Sequence, residues 1–185
     1  SVHEARRWPF TGAFADRAGG AALNLPVPKG FNDSEFAHLR DRVILPAIDR
    51  LDPQVIVLQC GADAVEEDPL ARLSLSNRAH FDLVKRMKTA APRLLVLGGG
   101  GYNPWTVGRL WTGVWGLLSG QDLPDRLPPE AQDILGALSS TRHRGPVPPY
   151  LVETLQDAPR HGPIRPEITD LADAAAQNVR EWRWS

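Results

Sequence analysis

The sequence is poor in several features that mark particular classes of protein. It has one cysteine, Cys60, so no internal disulfide can form, and a reducing compartment such as the cytoplasm fits it best. Its formal net charge of -1 argues against a nucleic-acid partner, since phosphate backbones are bound by basic surfaces. No apolar run approaches the length of a membrane span, and no secretory signal opens the chain. We therefore expect a cytoplasmic protein that binds neither nucleic acid nor membrane; the sequence leaves its oligomeric state open.

An initiator methionine is also missing. The chain begins Ser1-Val2-His3, which predicts that these residues come from the downstream part of a longer polypeptide. With 185 residues, of which 42% are hydrophobic, it is long enough for one domain with a substantial core. Lysine is scarce and arginine abundant, a bias that weakly indicates a bacterial genome.

Two short apolar runs predict neighbouring buried strands. Residues 55–59 and 94–97 are apolar on both faces and are bounded by proline or glycine. Each run precedes a helical pattern, the first capped by Ser76 and the second by Asn103, with Pro104 at the first helical position. Strand, helix, strand, helix in this order predicts an α/β fold with a parallel sheet flanked by helices.

The remaining patterns surround this unit. A short strand is expected at residues 22–28, and a helix from Asn32 to Leu51 that Pro46 interrupts. Residues 1–12 are expected to form a loop whose aromatic side chains either anchor it on the core or line a pocket.

The amino-acid composition of the chain changes near residue 120. We divide it there into a first part, residues 1–120, and a proline-rich extension, residues 121–185. The extension is expected to pack peripherally, with helices near residues 130–138 and 167–180 and a frayed end at residues 182–185.

Asp63 and Tyr102 follow the two predicted neighbouring strands. Parallel strands end at one edge of a sheet, and ligands of open α/β sheets bind at that edge. Four glycines, residues 98–101, precede Tyr102 and indicate a tight turn that another group approaches closely. This arrangement predicts a site but no particular chemistry, because an isolated aspartate at a strand end is more often a turn or capping residue.

Several familiar motifs do not match. The glycine turn lacks the last glycine of a dinucleotide fingerprint and the lysine of a phosphate-binding loop, and no Gly-x-Ser-x-Gly elbow is present. Cys60 is more typical of a core residue than of a nucleophile, and the five histidines, His38 and His80 among them, show no metal-ligand spacing. A phosphate- or nucleotide-binding domain and a non-catalytic scaffold remain alternatives.

Two longer segments carry a resemblance to a known family. Leu58-Gln59-Cys60-Gly61-Ala62-Asp63 with Asp68-Pro69, and Leu97-Gly98-Gly99-Gly100-Gly101-Tyr102-Asn103 with Arg109-Leu110-Trp111-Thr112, resemble the second half of the zinc-dependent histone deacetylase superfamily. Within it the chain is most similar to bacterial acetoin-utilisation and deacetylase-like members. Ser1-Val2-His3-Glu4 and Trp8-Pro9-Phe10-Thr11-Gly12 resemble two further segments of the family, so the resemblance covers residues 1 to about 120.

The resemblance implies an arginase/deacetylase-like fold, of which this chain is the C-terminal part, and hydrolysis of acetyl-lysine or acetylated-amine amide bonds. It implies that Asp63 is one of three zinc ligands and that the Tyr102 phenol hydrogen-bonds the substrate carbonyl. Further roles follow the same way: an acyl-lysine channel lined by Gly100 and by Trp8 or Phe10, and a monovalent cation, such as K⁺, held by Ser1 and Val2. The other zinc ligands and the catalytic histidines lie upstream in the family, so we expect the isolated chain to bind zinc poorly and to be inactive.

Overall fold

The computed structural model of the chain describes residues 1–143 and 145–182, and these form an α/β fold. Its strands are β1 Val2–Glu4, β2 Leu25–Val27, β3 Ile56–Gln59 and β4 Leu94–Leu97. Its α-helices are α1 Asp33–Leu39, α2 Leu45–Leu51, α3 Asn77–Met87, α4 Pro104–Leu118, α5 Pro129–Gly136, α6 Pro149–Glu153 and α7 Pro166–Glu181. None of the helices in these two described ranges combines the length and the apolar character that a membrane crossing requires.

The strands pair in parallel. β3 lies beside β4 in a register that runs from Ile56 opposite Leu94 to Gln59 opposite Leu97, which confirms the predicted unit β3-α3-β4-α4. β1 pairs with β2 in the same sense. The prediction of a loop at residues 1–12 is wrong for Val2–Glu4, because a strand of three residues shows no periodicity in the sequence and is formed by its partner.

The helix that begins after Asn32 changes its hydrogen-bonding register before Pro46. Asn32 caps α1, its side chain accepting the N–H groups of Ser34 and Glu35. A π-helical turn, Arg40–Ile44, then joins α1 to α2, and Pro46 lies in the first turn of α2. Proline has no N–H to donate, and the wider turn absorbs that missing bond without ending the helical path.

Helix α3 is capped by a distant residue. The Ser76 hydroxyl, predicted to cap it, instead donates to Asp33 Oδ2 at 2.6 Å. The first backbone N–H of α3, that of Asn77, donates to Asp157 Oδ2 at 2.8 Å. The capping group therefore comes from a residue 80 positions away, which a local sequence pattern cannot reveal.

The core consists of two apolar clusters. The larger one contains β2, α1, α2 and α7, and its fully buried members include Leu25, Val27, Leu39, Ile168, Ala172 and Ala175. The prediction of peripheral packing is therefore wrong for α7, although α5 has no buried residue and does lie at the periphery. The boundary near residue 120 stays a prediction. Of the predicted frayed end, residues 183–185 lie outside the described residues, and the Trp182 indole N–H donates to the Gly20 carbonyl.

The smaller cluster covers only one face of the β3–β4 pair. Helices α3 and α4 pack on that face through Phe81, Val84, Leu110 and Val114. The opposite face is open: Val57 is 59% exposed, Leu95 53% and Leu97 46%. We call these three side chains the open face. The prediction that both strands are buried on both sides is wrong here, since apolar composition does not say what covers each face.

Trp111 lies on α4 beside the end of β3. Its side chain is 38% exposed, and its indole N–H donates to the Cys60 carbonyl at 3.0 Å. An indole has one polar atom, and the carbonyl that follows β3 satisfies it at the margin of the sheet.

Candidate active site at the carboxyl edge of β3 and β4

The pairing of β3 with β4 continues into the two loops that follow them. The Cys60 N–H donates to the Leu97 carbonyl at 2.9 Å, and the Ala62 N–H donates to the Gly100 carbonyl at 2.6 Å. The loop that carries Asp63 is thereby held against the glycine turn. Asp63 and the glycine turn therefore lie together at the carboxyl edge of the two strands.

Gly100 is in contact with the Asp63 carboxylate. A Cβ atom on Gly100 would lie 2.2 Å from Asp63 Oδ2, far inside the van der Waals distance. At the next position Gly101 has φ of 146°, in the region that favours glycine. The turn therefore needs glycine for space at one position and for backbone conformation at the next.

Asp63 is a carboxylate in an unfavourable electrostatic setting. Burial raises its pKa; a hydrogen bond from its own backbone N–H opposes the rise, the charge of Asp68 adds to it, and His80 opposes it. No arginine, lysine or histidine forms an ion pair with Asp63 within residues 1–143 and 145–182. A cation next to this carboxylate would reverse the balance.

His80 lies close to this site, although its position within a helical pattern suggested a structural role. Its Nε2 lies 3.0 Å from the Gly61 carbonyl. Burial lowers its pKa more than the backbone groups of Gly61 and Ser76 and the charges of Asp63 and Asp33 raise it, so the ring favours the neutral form. The spacing between residues 61 and 80 gave no hint of this contact, which depends on how α3 packs against the loop after β3.

A cavity of about 400 Å³ and a larger one of about 600 Å³ adjoin Asp63. Ser1 and Val2 line both, Gly100 and His80 line the larger one, and Trp8 lines the smaller one. The structure thus brings together five of the residues proposed for the site: Ser1, Val2, Trp8, Asp63 and Gly100. Trp8 is 83% exposed and Phe10 76%, so both rings stand at the surface.

Tyr102 lies in different surroundings. Its ring is half-exposed and faces the Arg142 guanidinium, whose central carbon lies 5.8 Å from the ring centroid. With Glu67, Asn103 and His143 it lines a small separate cavity. The geometry does not assign a role to the phenol, so its catalytic function stays a prediction.

Asp68 connects the two loops and was not singled out as a site residue. Its Oδ2 accepts the Tyr102 N–H at 2.7 Å. The neighbouring Pro69 was the available signal, because aspartate before proline favours a turn closed by the aspartate side chain.

The donor set around Asp63 suits part of a metal site. Among the described residues no three histidine, cysteine, aspartate or glutamate side chains form a group that could hold a metal ion. Zinc in a catalytic site takes about three protein ligands. Asp63 fits as one of them, since its partly buried carboxylate has no ion-pair partner among the residues described, and further ligands would have to come from other polypeptide.

Two other chemistries fit poorly. Burial raises the pKa of the Cys60 thiol to about 11, which makes it a weak nucleophile near neutral pH. A phosphate group would need free N–H groups at the start of α4, but Pro104 has none and the Asn103 side chain accepts those of Trp105 and Thr106. The Tyr102 N–H is bonded to Asp68.

Comparison with known proteins identifies a family. The sequence model for the histone deacetylase domain matches residues 1–118. The chain is 40% identical to histone deacetylase 9 of Arabidopsis thaliana over 107 residues, 58% of this chain and 25% of that protein. It is 35% identical to putative histone deacetylase 2 of Caenorhabditis elegans over 125 residues, 65% of this chain and 25% of that protein.

Solved structures extend the similarity over nearly the whole chain. An HDAC homologue from Aquifex aeolicus matches with a TM-score of 0.85 and 32% identity, over 95% of this chain and 50% of that one. An HDAC homologue complexed with SAHA matches with a TM-score of 0.80 and 31% identity over the same shares. The chain therefore spans a quarter of the length of these curated relatives and half of each solved chain. Its motifs, its parallel sheet and these matches show that the chain belongs to the histone deacetylase family.

Proposed function

We propose that this chain forms the C-terminal half of a zinc-dependent deacetylase domain that hydrolyses the amide bond of acetyl-lysine or of an acetylated small amine. The observation that carries the proposal is the contact of the Asp63 carboxylate with Gly100 at the carboxyl edge of β3 and β4, beside an open cavity. Membership of the family supplies the class of reaction.

Each group of the site has a role in this proposal. A zinc ion would polarise the amide carbonyl and lower the pKa of a bound water to about 7. Asp63 would be one ligand, and its charge would then be balanced. Gly100, without a side chain, would let the stem of the acylated amine pass close to the backbone. Tyr102 would donate a hydrogen bond to the oxygen on which negative charge develops, a contribution of about 100- to 1000-fold in turnover in other enzymes.

The open face supports the inference that the domain is completed by further polypeptide. Val57, Leu95 and Leu97 present contiguous apolar surface on a sheet of two strands. Soluble domains generally cover such a face. We propose that the N-terminal half of the parent polypeptide covers it and supplies the other two zinc ligands and the histidine base. This chain together with that half is called the completed domain below.

Three finer assignments belong to the same proposal. Ser1 and Val2 would hold a monovalent cation such as K⁺, which their place on both cavities beside Asp63 supports. The parent protein would be a bacterial enzyme of the acetoin-utilisation type, as the motifs around Asp63 and Tyr102 suggest. Its substrate would be a cytoplasmic protein lysine or an acetylated polyamine.

Zinc content and amide hydrolysis together test the proposal. The completed domain is expected to bind one zinc ion and to release acetate from an acetyl-lysine peptide or an acetylated polyamine. The isolated chain is expected to do neither, and Asp63→Asn in the completed domain should lose both. Full activity of the isolated chain would contradict the half-site proposal. A completed domain that binds zinc but hydrolyses neither substrate would contradict the deacetylase assignment.

A further inference from the structure

We propose that Asp68 is a positioning residue that holds Tyr102 in place and thereby sets the rate of the chemical step. The inference rests on the proposed function, in which Tyr102 donates a hydrogen bond to the substrate. It concerns the backbone of Tyr102, because that is where Asp68 makes contact.

Both carboxylate oxygens of Asp68 are used. Oδ2 accepts the Tyr102 N–H at 2.7 Å. Oδ1 accepts the N–H groups of Leu70 at 2.8 Å and Ala71 at 3.0 Å. The residue is 5% exposed, so water competes little for these bonds, and hydrogen bonds to a charged acceptor are about twice as strong as neutral ones. The Asp68 side chain thus closes its own loop and also connects that loop to the residue that follows the glycine turn.

The residue before Asp68 makes a second connection. The Glu67 carbonyl accepts a hydrogen bond from Asn103 Nδ2 at 3.0 Å, and the Asn103 Oδ1 caps α4. The Glu67 side chain is in turn held by the Tyr150 hydroxyl and the Arg160 guanidinium. Residues 67 and 68, which we call the strap, therefore fix two consecutive residues of the turn and are themselves anchored to the C-terminal extension.

The strap matters because Tyr102 is not packed into the core. The side chain is 43% exposed, so it has less packing around it than a core residue. Gly101 beside it is in a conformation that glycine adopts readily, and it offers no side chain to resist movement. The hydrogen bond to Asp68 restrains the Tyr102 backbone directly. A displacement of about 1 Å at a reacting group can cost about 100-fold in rate.

Asp68→Asn is the sharpest variant, because it keeps the shape of the side chain. An amide has one oxygen, so whichever way it is oriented, its NH₂ group faces either the Tyr102 N–H or the N–H groups of Leu70 and Ala71. The matched control is Asp33→Asn. Asp33 is also buried and accepts three hydrogen bonds, from the Ser76 N–H, the Ser76 hydroxyl and the Arg160 N–H, but it does not contact Tyr102.

The first readout is amide hydrogen exchange in this chain. Because the remaining oxygen of Asp68→Asn can stay on the Tyr102 N–H, this measurement uses Asp68→Ala, which keeps no acceptor, with Asp33→Ala as its control. We expect the Tyr102 amide to exchange at least about tenfold faster in Asp68→Ala, and to change by less than about twofold in Asp33→Ala. Unchanged exchange at Tyr102 in Asp68→Ala would overturn the inference, whatever the activity of the protein.

The second readout is a double-mutant cycle on turnover of the completed domain. We expect Asp68→Asn to lower kcat by about 10- to 100-fold with KM within about twofold, and to have no further effect in the Tyr102→Phe background. A merely structural role would lower kcat by the same factor in both backgrounds, and that result would overturn the inference. An inactive wild-type completed domain would instead refute the proposed function, and the exchange experiment would still decide whether Asp68 holds Tyr102.

Discussion

Arg109 and Asp157 form an ion pair in the interior of the protein, with 2.7 Å between Nη2 and Oδ1 and both side chains 1% exposed. Arg109 belongs to α4, and Asp157 lies between α6 and α7. Arg109 Nε also donates to the Thr154 carbonyl at 2.6 Å, while Asp157 caps α3 through the Asn77 N–H. The pair therefore joins the C-terminal extension to the two helices that cover the β3–β4 sheet.

Breaking this pair should strongly destabilise the protein. Arg109→Met removes the cation and leaves the Asp157 carboxylate buried without it, which typically costs about 3–5 kcal/mol. We expect a fall of that size in the free energy of unfolding measured with urea. The control is Arg126→Met, which breaks the pair with Glu153, whose side chains are 66% and 41% exposed, and should cost less than about 1 kcal/mol. Equal effects of the two changes would contradict this prediction.

Glu35 should make stability depend on pH. Burial raises its pKa, but hydrogen bonds from the Arg165 guanidinium and from the backbone of Asn32 and Arg165 lower it by more, to below the ordinary value of 4.5. A carboxylate with a lowered folded-state pKa stabilises the fold above its unfolded-state pKa, and that contribution is lost as pH falls through the folded-state pKa.

We therefore expect Glu35→Gln to be less stable than the wild type at pH 7, with the difference shrinking as the pH falls below 4.5. Urea unfolding of both proteins at a series of pH values measures this. Glu130→Gln, at an exposed position of α5, is the control and should show little difference at any pH. A difference for Glu35→Gln that grows on acidification would show that the sign is wrong.

Gly100→Ala should disturb the Asp63 carboxylate, because the new methyl group would lie 2.2 Å from Oδ2. We expect the zinc affinity of the completed domain to fall at least about tenfold, measured by competition with a chelating dye. Gly108→Ala is the matched control: its Cβ meets no atom within 4 Å on the surface of α4, so it should leave affinity unchanged and stabilise the helix by up to about 1 kcal/mol. Unchanged affinity in Gly100→Ala would argue against Asp63 as a ligand.

Two valines, one buried and one on the open face, test whether further polypeptide covers that face. Val84 is fully buried, and Val84→Ala should lower the free energy of unfolding of this chain by about 2 kcal/mol. Val57 is 59% exposed, and Val57→Ala should lower it by less than about 1 kcal/mol. In the completed domain the two losses should become similar, because the added half covers Val57. A small Val57→Ala effect that persists there would contradict the proposed covering of this face.

Local patterns predicted those features that depend on neighbours in sequence. The parallel pair β3–β4, the caps at Asn32 and Asn103 and the disturbance near Pro46 each depend on a few adjacent residues, and all are present. The position of Asp63 at the carboxyl edge of the sheet could also be predicted, because it follows from the direction of β3 alone. The prediction that β3 and β4 are buried on both faces was wrong for one face. Apolar residues indicate that a face tends to be covered, but they do not identify the element that covers it.

The α/β unit, its family and the edge of the sheet with the candidate site follow from the sequence, because each depends on spacing, polarity and contiguous motifs. The contacts between distant groups became visible in the folded chain: Asp157 at the start of α3, His80 at the Gly61 carbonyl and Asp68 at the Tyr102 N–H. The folded chain also shows that α7 belongs to the core. The physical reason is that such contacts depend on the packing of elements separated by up to 80 residues, and no local preference of the chain encodes that packing.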